Sequence, residues 1–198
     1  MAGTSDAKTV VLCGVGGQGT ILAADLLAHT AMESGYDVKL SEIHGMSQRG
    51  GAVNTVVRFG KEPVHAMVAD AGCADCVMSF EMTEALRNVS YCKKDGFLLV
   101  ADESIKPLPV LTGKATMPSN LENRLAEVGA VIIPAGSIAA EVATVKSVNV
   151  VLLGALATRL DFPVSAWEDV ISKRVPPKTI EANLRAFHAG YDFAKEAK

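Results

Sequence analysis

The sequence lacks the features that point to a nucleic-acid partner or a membrane partner. Its 19 lysine and arginine residues are outnumbered by 22 aspartate and glutamate residues, and the formal net charge is −3. Because a phosphate polymer requires a basic face, we do not expect nucleic acid to be a partner. Residues 1–8 are polar and too few for a signal peptide or a membrane span. We therefore expect a soluble cytoplasmic protein without a membrane partner.

Cysteine is scarce, and its spacing matches no common metal motif. Cys73 and Cys76 form a single C-x-x-C pair with no second pair to follow it, whereas structural zinc and iron-sulfur clusters each need four ligands. No helix is predicted to begin at Cys73 and lower its pKa, which disfavours a redox dithiol. A reducing compartment would keep the thiols free. The sequence therefore predicts that this chain binds neither a metal nor a cluster.

Apolar residues make up 49% of the 198 residues, enough to bury the core of one domain. Over residues 1–145, apolar strand-like runs alternate with segments of helical period, starting with a strand at 9–13 and a helix at 20–33. Residues 52–59 partly alternate, which favours a half-exposed and antiparallel strand. This pattern predicts an α/β fold with a three-layer, mostly parallel, Rossmann-like sheet. The other predicted elements are strands at 37–41, 76–80, 97–101 and 130–134 and a helix at 82–91.

Residues 146–198 are predicted to form a helical extension of the sheet core at 1–145, within a single domain over residues 1–198. The helical pattern is interrupted by prolines at positions 163, 176 and 177. The apolar side chains of this extension could cover either the domain's own core or another subunit. They are Trp167, Val170, Ile171, Phe187 and Tyr191.

Two serines precede a glutamate by three residues, the spacing at which two side chains cap a helix start reciprocally. The pairs are Ser119 with Glu122 and Ser165 with Glu168. Each pair predicts the first turn of a helix.

A glycine-rich segment, G-V-G-G-Q-G-T at residues 14–20, lies between the first predicted strand and the first predicted helix. We call it the first glycine motif. Glycine at 14 permits a tight turn, at 16 a close approach to the backbone, and at 19 close packing of helix on strand. The exposed amides at the helix start favour an anion. The residues predicted to bind a cofactor here are Gly14, Gly16, Gly17, Gln18, Gly19 and Thr20.

The first glycine motif leaves three interpretations open. It fits a dinucleotide site, with Glu42 at the end of the second strand as the ribose-binding carboxylate. It also fits a turn that serves only close packing of the helix on the strand. A nucleoside-triphosphate site is disfavoured, because Gly19 is followed by Thr20 and not by the lysine that pairs with the γ-phosphate.

A second irregular segment follows the second predicted strand, and we treat residues 42–51 as a loop. Its part from His44 to Gly51, H-G-M-S-Q-R-G-G, is the second glycine motif. Gln48 and Arg49 supply amide and guanidinium donors for a carboxylate or phosphate, and His44 titrates near neutral pH and could transfer a proton. The alternative is that Arg49 pairs with a surface acid and the glycines only turn the chain.

The two motifs, in this order, resemble the γ domain of the pyruvate/2-oxoacid:ferredoxin oxidoreductases. The form S-Q-R-G-G at residues 47–51 is most similar to the β subunits of the indolepyruvate branch. The similarity continues over nearly the whole chain, through F-E-M-T-E-A-L-R at 80–87, N-V-V-L-L-G-A at 149–155 and E-A-N-L-R-A-F at 181–187.

This resemblance implies a small subunit that is active only with a larger α subunit. The partner would carry thiamine diphosphate, Mg and [4Fe-4S] clusters. The complex would convert an aryl 2-oxoacid and coenzyme A to an acyl-CoA and pass the electrons to ferredoxin. Pyruvate, 2-oxoglutarate and ketoisovalerate are alternative substrates, and a self-contained NAD(P)-binding dehydrogenase or a structural adaptor is an alternative function.

The resemblance also implies that both glycine motifs face the partner's cofactor domain and help to enclose the substrate and coenzyme A. Within them His44, Gln48 and Arg49 are the candidate catalytic residues. Ser47, Gly50 and Gly51 join the first motif as candidate cofactor-binding residues.

Overall fold

The computed structural model describes residues 7–44 and 51–196. Its described part contains one six-stranded sheet in the order β2-β3-β1-β4-β5-β6. The strands are β1 Lys8–Val15, β2 Asp37–His44, β3 Ala52–Gly60, β4 Ala74–Ser79, β5 Cys92–Ala101 and β6 Val131–Ile133. β3 runs antiparallel to β1 and to β2, while β1, β4, β5 and β6 pair in parallel. The predicted mostly parallel sheet with an antiparallel member near residues 52–59 is confirmed.

Helices cover both faces of the sheet. Those described are α1 Thr20–Glu33, α2 Met82–Asn88, α3 Leu108–Leu111, α4 Leu121–Glu127, α5 Ala135–Val142, α6 Val148–Ala157, α7 Val164–Arg174 and α8 Ile180–Glu196. One face packs against α1 and α5 to α8, and the other against α2 and α4. Because side chains alternate along a strand, Val10 and Leu12 enter the first core and Val11 and Cys13 the second. The predicted three-layer α/β architecture is confirmed.

The first core is closed by α6 and α8, which contact each other backbone to backbone. α6 is buried on every side from Asn149 to Ala157. A Cβ atom added to Gly154 would lie 2.0 Å from the Phe187 carbonyl oxygen, and one added to Gly190 would lie 1.9 Å from the Val151 carbonyl oxygen. Only glycine at these two positions allows this helix packing.

The apolar side chains of the C-terminal helices belong to the same core as the sheet. Trp167, Val170, Ile171 and Phe187 are fully buried in it, and Tyr191 packs against it. Of the two possibilities that the sequence leaves open, these side chains cover the domain's own core. In the described part of the chain, no helix is both long enough and apolar enough to cross a membrane.

β2 is longer than the sequence pattern predicts. The predicted strand ends at Ser41, but Glu42, Ile43 and His44 continue the antiparallel pairing with β3. The prediction that the loop begins at Glu42 is therefore wrong. The strand continues because β3 supplies its hydrogen-bonding partner, and local sequence does not show which strand will lie alongside.

Both predicted reciprocal caps are wrong, although a helix begins near each of them. α4 begins after Asn120, whose left-handed φ of 56° places the helix start beyond Ser119. Ser165 lies inside α7, because Pro163 fixes the backbone before the first turn. The sequence pattern also does not predict α3 or α5, which have only four and eight residues.

Candidate functional site

The first glycine motif meets the last residue of the second, Gly51, at the carboxyl end of β1. β3 begins at Ala52, directly after the second motif, and pairs with β1 so that Val15 lies opposite Ala52. At the same point the Gly16 amide donates a hydrogen bond of 2.9 Å to the Gly51 carbonyl oxygen. Two segments far apart in sequence thus meet at the carboxyl ends of the parallel strands, where open α/β folds bind their ligands.

Glycine is required in the first motif by backbone conformation and by close contacts. Gly17 and Gly19 have φ angles of 102° and 79°, in the region that favours glycine. A Cβ atom on Gly14 would lie 2.9 Å from the Cβ of Phe80, and one on Gly19 would lie 2.6 Å from Nδ2 of Asn149. Close packing therefore explains much of this glycine pattern before any ligand is considered.

The Gln18 side chain joins the first motif to the end of the neighbouring strand β4. Its Oε1 accepts a 2.8 Å hydrogen bond from the Val15 amide, and its Nε2 donates a 2.9 Å hydrogen bond to the Phe80 carbonyl oxygen. Both ends of the carboxamide are used within the chain. Gln18 therefore fixes the shape of the turn, and its predicted contact with a cofactor stays a prediction.

Replacing Gln18 by alanine should loosen this turn. We expect the free energy of unfolding to fall by about 1–3 kcal/mol, because Gln18→Ala leaves the Val15 amide and the Phe80 carbonyl without their partner. Urea denaturation of the purified chain measures the effect. Asn123→Ala, on the exposed face of α4, is the control and should change stability by less than about 0.5 kcal/mol. An equal loss in both variants would contradict a specific role of Gln18.

A cavity of about 530 Å³ opens beside the start of α1, and we call it the α1 cavity. It is lined by Gly17, Gln18, Gly19, Leu22, Glu103, Val145, Lys146, Val148 and Asn149. Within the described part of the chain the amides of Gly17 and Gly19 donate no hydrogen bond. These amides, the positive end of the 14-residue α1 and the Lys146 ammonium together favour an anionic group.

Asn149 is a member of this site that sequence analysis missed. It is buried, and its Nδ2 donates a 3.3 Å hydrogen bond to the Gly19 carbonyl oxygen. It thereby ties the start of α6 to the first glycine motif. A signal for it exists in the sequence, since it is a single polar residue at the start of an otherwise apolar helix.

The position of β3 argues against a dinucleotide site. In the dinucleotide-binding fold, the strand that carries the ribose-binding carboxylate lies next to the strand that leads into the glycine turn. Here β3 lies between them, so that Glu42 on β2 is two strand spacings, roughly 10 Å, from β1. Glu42 is therefore in the wrong place for the ribose contact.

The cysteines are free thiols, and two of them are poorly suited to redox chemistry. Burial raises the pKa of the Cys13 thiol to about 12 and also raises the pKa of Cys76. Cys76 lies in β4, as predicted, and so the C-x-x-C pair contains one thiol that resists ionisation. Among residues 7–44 and 51–196, no three side chains of histidine, cysteine, aspartate or glutamate form a metal-binding group.

The predicted catalytic residues are only partly covered by the structure. His44 is the last residue of β2, paired with Val53 of β3, which in turn pairs with Gly14. Ser47, Gln48, Arg49 and Gly50 lie outside the described residues. The roles of all these residues remain predictions. The structure places Gly51, the last residue of their segment, beside the first glycine motif, whereas His44 lies on β2 with β3 between it and β1.

The protein belongs to the open α/β class. Its sheet has a glycine turn at the carboxyl end of β1 and one inserted antiparallel strand, β3. Residues 9–193 match the family of pyruvate ferredoxin/flavodoxin oxidoreductases. The chain belongs to this family, as the resemblance predicted.

Several known proteins are similar to the chain over nearly its whole length. It is 43% identical to the indolepyruvate oxidoreductase subunit IorB of Thermococcus kodakarensis, over 94% of this chain and 96% of that one. It is 33% identical to the 2-oxoglutarate synthase subunit KorC of Methanocaldococcus jannaschii, over 96% and 95% of the two chains. The γ subunit of a keto/oxoacid ferredoxin oxidoreductase from Geobacter sulfurreducens has the same fold, with a TM-score of 0.71 at 23% identity over 96% of this chain and 99% of that one.

Proposed function

We propose that this chain is the small subunit of a 2-oxoacid:ferredoxin oxidoreductase of the indolepyruvate type. The complex converts an aryl 2-oxoacid and coenzyme A to carbon dioxide and an aryl-acetyl-CoA, and passes two electrons to ferredoxin. The observation that carries this proposal is the hydrogen bond from Gly16 to Gly51, which brings the end of the second glycine motif to the first one at the carboxyl end of β1. Full-length identity of 43% to an indolepyruvate oxidoreductase subunit supports the choice of substrate.

The redox cofactors are assigned to a larger α subunit. Thiamine diphosphate needs a metal held by carboxylate or amide oxygens, and a [4Fe-4S] cluster needs four thiolates. The described residues offer neither, since no three histidine, cysteine, aspartate or glutamate side chains form a metal-binding group there and two of the four cysteines are buried in the core. When bound in the partner, these groups supply decarboxylation and electron transfer, while this chain positions and encloses the reactants.

Three side chains of the second glycine motif would act on the 2-oxoacid. Arg49 and Gln48 would hold its carboxylate through guanidinium and amide donors, and His44 would hold or transfer a proton near neutral pH. The hydrogen bond between Gly16 and Gly51, the last residue of this motif, supports this assignment. Both segments would then face the partner's cofactor domain.

The α1 cavity would receive an anionic part of coenzyme A. Its free amides at Gly17 and Gly19 and the Lys146 ammonium supply hydrogen-bond donors and positive charge at a helix start. Glu103 also lines the cavity, and its carboxylate would repel an anionic group that binds on its side of the cavity.

The deciding experiment is reduction of methyl viologen by the purified complex with its larger partner, with indolepyruvate and coenzyme A. We expect turnover by the complex and none by either subunit alone. 2-Oxoglutarate and pyruvate are supplied in parallel, because the similarity to a 2-oxoglutarate synthase subunit makes 2-oxoglutarate the second candidate. A kcat/KM for 2-oxoglutarate above that for indolepyruvate would move the assignment to that branch. Binding of NAD by this chain alone, without viologen reduction by the complex, would overturn the proposal.

A further inference from the structure

A buried side chain on α6 supports the turn that carries the first glycine motif. Asn149 is 5% exposed, and its Nδ2 donates a 3.3 Å hydrogen bond to the Gly19 carbonyl oxygen. The carboxamide lies directly against Gly19, since a Cβ atom at that position would meet Nδ2 at 2.6 Å and Cγ at 3.0 Å. A residue 130 positions further along the chain is thus in direct contact with the turn.

The conformation of this turn depends on contacts from outside α1. Gly19 has a φ angle of 79°, and no side chain caps the helix start that follows it. Its carbonyl oxygen accepts the Ala23 amide at 3.1 Å, and its own amide donates no hydrogen bond within the described part of the chain. Because glycine has wide backbone freedom, the direction of this amide is set by the contacts that the turn makes. The hydrogen bond from Asn149 is one of these contacts.

The helix that carries Asn149 is a rigid support. α6 is buried on every side from Asn149 to Ala157. It contacts α8 backbone to backbone, so that a Cβ atom on Gly154 would lie 2.0 Å from the Phe187 carbonyl oxygen. A side chain on a helix packed in this way holds its position more closely than one on a loop. Nδ2 of Asn149 therefore gives the Gly19 turn a fixed point of attachment.

The other polar atom of the same carboxamide is available to a ligand. Oδ1 of Asn149 accepts no hydrogen bond within residues 7–44 and 51–196, and it is not among the atoms that burial closes off completely. Asn149 lines the α1 cavity together with Gly17 and Gly19. A carbonyl oxygen without a partner inside a protein costs free energy, which a hydrogen-bond donor on a ligand would recover. The cavity thus offers an acceptor beside its amide donors.

Directed hydrogen bonds, more than net charge, decide what the α1 cavity can bind. Its described lining contains one acidic and one basic side chain, Glu103 and Lys146, whose charges offset each other. Recognition of an anionic group then depends on the amides of Gly17 and Gly19, which are effective donors only when they point at that group. A side chain that fixes the direction of the turn therefore controls the affinity of the site.

We propose that Asn149 is a positioning residue for coenzyme A. Through Gly19 it holds the free amides of the first glycine motif in the direction that meets an anionic group, so that binding requires no reordering of the turn. This inference rests on the proposed function, which assigns the α1 cavity to coenzyme A. Loss of Asn149 affects the acyl acceptor and leaves binding of the 2-oxoacid, which is assigned to the second glycine motif, unchanged.

The test is viologen reduction by the complex, with coenzyme A varied at saturating indolepyruvate and then the reverse. Asn149→Ala should raise the KM for coenzyme A about tenfold, which corresponds to about 1.4 kcal/mol, because the turn loses its hydrogen bond. The kcat and the KM for indolepyruvate should change by less than about twofold. Asn149→Leu keeps the shape of the side chain and should give the same result. An unchanged KM for coenzyme A, or an equal rise in both KM values, would overturn the proposal.

Ser147→Ala is the matched control. Ser147 is 6% exposed and directly precedes α6, and its hydroxyl lies 3.4 Å from the Thr144 hydroxyl, away from Gly19. This variant removes a similarly buried polar group from the same segment, and we expect all kinetic constants to stay within about twofold of their original values. Circular dichroism verifies the fold of each variant. A rise in the KM for coenzyme A as large as that of Asn149→Ala would indicate general loosening of α6 and would contradict the specific role of Asn149.

A second measurement uses the full chain alone and does not depend on turnover. Inorganic pyrophosphate is titrated while two-dimensional NMR follows the amide signals of Gly17 and Gly19. We expect saturable shifts, with a Kd at least roughly fivefold weaker in Asn149→Ala. Equal affinity of the two chains would overturn the inference, and no binding by the unchanged chain would overturn the cavity assignment as well. Weakened pyrophosphate binding in Asn149→Ala, without viologen reduction by any complex, would remove the proposed function and retain the role of Asn149 at the amide site.

Discussion

Gly154→Ala should lower the free energy of unfolding by at least about 2 kcal/mol, despite the gain of about 1 kcal/mol in helix propensity. The added methyl group would meet the Phe187 carbonyl oxygen at 2.0 Å, which no side-chain rotation can relieve. α6 and α8 must therefore move apart, and the core beneath them loses contact. Urea denaturation followed by circular dichroism measures the change. Gly190→Ala should have an effect of the same size, since its methyl group would meet the Val151 carbonyl oxygen.

Gly136→Ala is the matched control for these two variants. Gly136 also lies in a helix, α5, but its added methyl group would meet only the end of the Glu103 side chain, which can rotate away. We expect no loss of stability and a gain of up to about 1 kcal/mol. A Gly154→Ala variant as stable as Gly136→Ala would show that the two helices are not in direct backbone contact.

Arg49→Ala should lower kcat/KM of the assembled complex for indolepyruvate roughly 100-fold, because truncating a charged hydrogen-bond donor to a carboxylate costs about 3 kcal/mol. The kcat/KM of Arg49→Lys should lie between those of the unchanged complex and Arg49→Ala, since lysine keeps the charge and loses the paired donors. Viologen reduction with varied indolepyruvate measures kcat and KM. Mass photometry verifies that the variant still assembles with its partner.

Arg124→Ala provides the control for this experiment. Arg124 lies on the exposed side of α4, so its loss removes the same charge without touching the candidate site. We expect unchanged kinetics. Full activity of an assembled Arg49→Ala complex would mean that the second glycine motif only supports the sheet edge.

The strand, turn and helix around the first glycine motif could be predicted from local sequence. The apolar run at 9–13 and the helical period at 20–33 define β1 and α1, and the glycines between them require a tight turn. The apolar run, the glycines and the helical period lie within a few residues of each other, and local backbone sterics determine the turn between strand and helix. The resemblance to the γ-domain family uses the same residues and is confirmed by the family match.

The parts that could not be predicted depend on contacts between distant segments. β2 reaches His44 because β3 pairs with it. Gln18 has a structural role because Phe80, directly after β4, accepts a hydrogen bond from its side chain. The backbone contact between α6 and α8 likewise brings Gly154 to Phe187 from separate helices. A single sequence contains no record of which segments will meet in this way.

The sheet order gives the two glycine motifs different resistance to local opening. β1 is central, with β3 on one side and β4 on the other, whereas within the described sheet β2 is an edge strand paired only with β3. Amide hydrogens of an edge strand exchange with solvent through local opening, while exchange in a central strand requires unfolding of most of the domain. The first motif is therefore anchored in the slowest-exchanging part of the sheet, and the second is connected on its N-terminal side to a strand that can fray and close again while the fold persists.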